Sequence, residues 1–79
     1  MTDQEMVNEL QDLRRKHQVA AGLAAALKKL GNTLTMHDPL YNKCNYKIEK
    51  YAAERDTLAP RLSELELMIV RSQLEQDII

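Results

Sequence analysis

Residues 39–79 read PLYNKCNYKIEKYAAERDTLAPRLSELELMIVRSQLEQDII, just over half of a 79-residue chain. Within this stretch Tyr41, Cys44, Ile48, Tyr51, Leu58, Leu62, Leu65 and Ile69 recur at steps of three and four residues, or of seven where Arg55 interrupts the row. That spacing is one face of an amphipathic helix. Asp38-Pro39 marks its start: Asp38 supplies a capping carboxylate, and Pro39 needs no amide partner in a first turn. Pro60 lies in the middle of the stretch. Proline removes a backbone donor and presses on the carbonyl four residues back, so the helix either kinks there or breaks, with Thr57 capping a third helix. The apolar row crosses Pro60 in phase, which favours one kinked helix over a break.

Upstream, Met6, Leu10, Leu13, His17, Ala20, Ala24 and Leu27 repeat at steps of four and three. This is a second heptad-like stripe. Thr2 or Asp3 is placed to cap it. Another apolar line opens through Leu23, Leu27, Leu30 and Leu34. The segment 19–26 is alanine-rich, and its small side chains allow a second helix to approach closely. Gly22 costs about 1 kcal/mol in a helix interior, and its alanine neighbours carry the helix through it. Gly31-Asn32 is a stop signal, with Gly31 suited to a left-handed cap. Leu34 and Met36 in the link are expected to fold back over the hairpin end.

These segments predict a single all-α domain, an antiparallel helical hairpin. Helix 1 covers about 4–30, a loop 31–38, and helix 2 about 39–77, kinked or broken near Pro60. If Leu30 sits beside Pro39, helix 1 runs out opposite about Ser63 to Leu67. The chain beyond is then uncovered, and it is the most apolar part of the sequence. A helix apolar on several faces needs cover on several faces. Leu62, Leu65, Leu67, Met68, Ile69, Leu74 and Ile78 are therefore the candidate contacts with a protein partner or a second copy, and the molecule is expected to be an oligomer.

Composition narrows the function classes. There is no Phe or Trp and one cysteine, Cys44. One cysteine makes no intrachain disulfide, which fits a reducing compartment, and no run reaches the ~20 apolar residues of a membrane span. A cytoplasmic protein with no membrane contact is expected. Cys44 falls on the apolar row and reads as a small core residue. No phosphate-binding glycine loop, paired cysteines or spaced histidine set is present, so neither an enzyme, a metal site nor a cofactor is expected. His17 reads as a seam residue and His37 as part of the loop.

The net charge is −1, but it is segregated. Residues 13–55 hold nine Lys and Arg against three acids; the rest holds two arginines against nine acids. In a hairpin both acidic ends meet at one pole. Such a dipole orients a partner or a second copy. Arg14, Arg15, Lys43 and Lys47 would form the contact surface of a nucleic-acid-binding protein, a reading disfavoured by the net negative charge. Arg55 occupies a row position with no acid three or four residues away. It is expected to reach Asp12 or Glu9 across the hairpin, or an acid of a second subunit.

Ala26-Leu27-Lys28-Lys29-Leu30, a short polar connection, Asp38-Pro39-Leu40-Tyr41 and the later run Leu65 to Val70 together resemble the small needle-chaperone subunits of type III secretion, the YscE type. That resemblance implies a cytoplasmic helical hairpin that joins a repeat-type chaperone and keeps a needle subunit from polymerising. Pro60 and the extended C-terminal tail depart from the pattern. Independently of the family, surplus apolar helix surface without catalytic groups reads as a protein-binding adaptor or chaperone. The alternative is a small phage or mobile-element protein that binds and regulates a host protein, its acidic pole meeting a basic surface.

Overall fold

The computed structural model describes residues 2–78, with side chains through residue 77. The chain is an antiparallel hairpin of two helices, α1 (Asp3–Gly31) and α2 (Pro39–Ile78). No strand occurs among the described residues. The molecule is a rod of 65 × 17 × 14 Å.

Both helix starts follow from capping chemistry. The Glu5 amide donates to Thr2 Oγ1 at 3.2 Å, and Asp3 and Glu5 place negative charge in the first turn of α1. Acids there complement the partial positive charge of a helix N-terminus. At α2 the Leu40 amide donates to Asp38 Oδ1 at 2.8 Å, with Pro39 in the first turn as expected. The end of α1 differs from expectation. Gly31 is helical and takes no positive φ, and the capping residue Asn32 is right-handed at φ −67°. The helix is closed instead by tight turns: Thr33 donates to Leu30 O through its amide (2.9 Å) and its hydroxyl (2.6 Å), and the Leu34 amide donates to Gly31 O at 3.2 Å.

Those turns carry the link onward along the rod before it reverses. Gly31 therefore lies beside Cys44, whose Sγ is 3.5 Å from where a Cβ on Gly31 would stand, rather than beside Pro39. The Cys44 thiol donates to Leu27 O at 3.1 Å. This shift corrects the expected register. The extra length of α2 is set against the link at one end, and α1 covers α2 almost to its C-terminus. Ser72 Oγ and Gln76 Nε2 both donate to the Asp3 carboxylate, at 3.0 and 2.9 Å. Leu34 is half-buried over the hairpin end, but Met36 stands exposed.

The helix does not break at Pro60. α2 is one helix of 40 residues with Pro60 inside it. Thr57 caps nothing; its hydroxyl donates back to Ala53 O at 2.8 Å. Pro60 is exposed, so the carbonyl it leaves without an amide donor, that of Asp56, lies on the solvent side of the helix, where water can replace the missing bond.

The core is uneven along the rod. At the open end Met6, Leu10 and Leu65 are buried, with Leu13, Leu62 and Ile69 packed against them. Leu65 is 0% exposed, the largest fully buried side chain. Burying a leucine fully contributes about 1.5–3 kcal/mol. Toward the loop the buried residues are Ala20, Ala24 and Cys44, all small. Gly22 points into open space, so the close approach there is made by Ala20 and Ala24.

Candidate protein-docking surface

The residues expected to contact a partner divide into two sets that face opposite ways. Successive residues of an α-helix turn by about 100°. Leu62, Leu65 and Ile69 therefore share the face turned to α1. Leu62 and Ile69 are half-buried and Leu65 is fully buried, all against Met6, Leu10 and Leu13. These three are core residues, not contact residues. They were expected to be uncovered because the hairpin was aligned on a direct reversal at Leu30. The link's onward turns move α1 along α2 and bring Met6 and Leu10 over them.

Leu67 and Leu74 point the other way, 70% and 59% exposed. Val70 is exposed between them, and Met68, 39% exposed, lies at the edge. Ile78 ends α2, and its side chain lies outside the described residues. Upstream of Leu67 the same outer line continues at seven-residue intervals through Pro60, Ala53 and Tyr46, all exposed, Tyr46 at 66%. Tyr46, Ala53, Pro60, Leu67 and Leu74 thus form a second, exposed row on α2, which borders the groove between the helices at Ala53. A seven-residue interval keeps one line along the helix; it is one of the two positions of a coiled-coil seam, and the companion positions three and four residues on are mostly polar. The signal for this row was present in the sequence, masked by the denser row that faces α1.

A second apolar region lies on one flank of the hairpin. An open groove of about 740 Å³ runs between the helices, lined by Val19, Ala20, Tyr51, Ala53 and Leu58 together with Lys16 and Lys50. Its volume follows from the small residues in this part of the core. Farther along α1, Leu23 and Leu30 are partly exposed, whereas Leu27 and Leu34 are half-buried.

The charged residues are also re-sorted. Arg55 does not cross the hairpin: its Nε donates to Asp56 Oδ1, its sequence neighbour, at 3.0 Å. Asp12 is taken by Arg15 at 2.8 Å and Lys16 at 3.0 Å, both on its own helix. The Lys16 hydrogen bond, then its charge, hold the Asp12 carboxyl below the usual carboxylate range, with Arg15 adding to the effect. Glu9 is taken by Arg61, whose Nε and Nη2 donate to Oε1 and Oε2 at 2.9 and 3.1 Å. This paired geometry matches the planar guanidinium to the carboxylate. The Glu9 hydrogen bond pushes the Arg61 guanidinium above its already high range, and Glu64, at 2.8 Å, reinforces it. Arg61 rather than Arg55 is thus the cross-hairpin arginine.

Arg14 pairs with Glu66 across the hairpin at 3.2 Å. Lys43 and Lys47 lie near the other end, about 25 Å along the rod from Arg14 and Arg15. The four basic residues expected at a nucleic-acid surface are not brought together, and both arginines are engaged by acids. Cys44 is buried, and His17 is half-buried on the seam. Among the described residues no group of three or more His, Cys, Asp or Glu is placed to hold a metal ion, and no helix is long and apolar enough to cross a membrane.

No protein-family model, curated protein or solved structure matches the chain.

Proposed function

We propose that this chain is a protein-binding adaptor or chaperone, acting without catalysis through the apolar helix surface that the hairpin leaves uncovered. The observation that carries this reading is the outer row of α2: Leu67, Val70 and Leu74 are exposed together although α1 runs alongside the same segment. A two-helix rod buries each helix on one side only. Apolar residues grouped on the other side cost solubility, and such patches mark association surfaces. The groove flank, with Val19 and Leu23, is the second region offered to a partner. A secretion co-chaperone is the specific form that the hairpin's resemblance suggests, and a reducing cytoplasm is the compartment proposed for it.

Photo-reactive side chains at Leu23 and Leu74 test the reading in the cell of origin. A covalent product with a different protein from at least one position is expected. No such product from either position would overturn the adaptor reading.

A further inference from the structure

We infer that the outer row of α2 is the seat of a second copy of this chain, with the two α2 helices antiparallel. The inference rests on the reading of that row as a docking surface and names its occupant. Three observations carry it.

The first is area. The chain exposes 6122 Å². A compact monomer of 9.1 kDa exposes about 4,900 Å². The excess, about 1,200 Å², exceeds the ~800 Å² that one partner contributes to a standard interface, so one such contact fits within it. A second rod laid along the first removes much of this excess with no change of fold.

The second is spacing. Tyr46, Ala53, Pro60, Leu67 and Leu74 keep a seven-residue interval over four repeats, all exposed, with Ala53 also bordering the groove between the helices. A line that returns every seven residues, two turns of helix, runs nearly straight along the rod, and another α2 presents a line of the same geometry. Ala53 and Pro60, at the centre of the row, are low in profile and let two helices approach there. The bulkier Tyr46, Leu67 and Leu74 lie toward the ends.

The third is charge, which sets the direction. In the first third of α2 the charges are Lys43, Lys47 and Lys50 with one acid, Glu49. In the last third they are Glu64, Glu66, Glu75 and Asp77 with one cation, Arg71; Glu64, Glu66 and Glu75 are paired within the chain, with Arg61, Arg14 and Arg71, so this end acts through its net balance of charge. Two α2 helices side by side in parallel would stack acid on acid and base on base. Antiparallel, each acidic third lies along the basic third of the other copy. A two-fold axis near Pro60 places Ala53 of one copy opposite Leu67 of the other.

Sedimentation equilibrium on the purified full chain at tens of micromolar is expected to return twice 9.1 kDa. Leu67→Glu is expected to weaken the dimer at least about tenfold, as replacing a buried apolar anchor with a charge does. Far-UV circular dichroism should be unchanged, because Leu67 takes no part in the hairpin core. Met36→Glu, exposed in the link, should leave the dimer intact. Direction is read by oxidising mixed single variants: Ala53→Cys with Leu67→Cys should give a mixed disulfide, and Leu67→Cys alone none across the dimer. A monomeric wild type, a dimer indifferent to Leu67→Glu, or a Leu67→Cys homodisulfide would each overturn the inference. Each of these failures leaves the photo-crosslinking test of the adaptor reading untouched, since that test scores products with a different protein.

Discussion

Leu65 and Leu67 are two residues apart, and they have opposite fates. Leu65 is fully buried against Met6 and Leu10; Leu67 is 70% exposed. Both are leucines in the same helix, in the same apolar run. Their difference is about 200° of helix rotation, set by which side α1 occupies. Hydrophobicity along a sequence therefore marks where apolar surface is. It does not say which part folding consumes and which part is left for association.

The strongest way to break this contrast is from the inner side. Leu65→Ala should cost about 2–5 kcal/mol in a urea titration, because the surrounding rod cannot close around the lost volume. Leu65→Asp should lose helicity outright. Leu67→Ala, measured at a concentration where the chain is monomeric, should change stability by less than about 0.5 kcal/mol. Equal costs at the two positions would mean that the outer row is also part of the fold.

A second expectation comes from the outer side. Pro60 sits exposed in an unbroken helix, so Pro60→Ala restores a donor for the Asp56 carbonyl. The thermal midpoint should rise, by the equivalent of about 1–3 kcal/mol, up to the helix-interior penalty of proline. A lower midpoint would show that the proline has a packing role that solvent exposure does not suggest. The next effect is smaller and lies at the edge between the faces. Arg61→Ala should lower the midpoint more than Arg55→Ala, since Arg61 joins the two helices through Glu9 and Arg55 only meets its neighbour Asp56. Equal effects would return Arg55 to the cross-hairpin role read from the sequence.

The smallest effect is in pH. The folded state holds the Asp12 carboxyl below its usual range, chiefly through Lys16. A lowered carboxylate contributes stability that is present above its unfolded value and is lost as pH falls through the folded one. Asp12→Asn should therefore flatten the acid limb of the stability curve slightly and leave neutral pH nearly unchanged, because the pair is exposed and screened. A steepened acid limb would contradict this sign.

Much of the fold was legible because it rests on local chemistry. The two three-four rows, the Asp38-Pro39 start and the alanine-rich approach are properties of neighbours in sequence. The inner row came out as read, from Tyr41 to Ile69. Phase across Pro60 also correctly favoured one helix, since a break has no reason to preserve it. The candidate surface was half legible. Leu67, Met68 and Leu74 were recognised together with Leu62, Leu65 and Ile69, and only the first three remain available.

What the sequence determined alone is the hairpin: two amphipathic helices, their starts, and an excess of apolar surface toward the C-terminus. Capping, periodicity and composition act within a few residues, so they can be read locally. What only the tertiary structure decided is register. The turns at Thr33 and Leu34 carry the link past Gly31, α1 slides along α2, and Asp3 reaches Ser72 and Gln76. That displacement brings Met6 and Leu10 over Leu65 and buries it. Its cause is the sum of several turn geometries and the best burial of Met6 and Leu10, and no single residue spells it out.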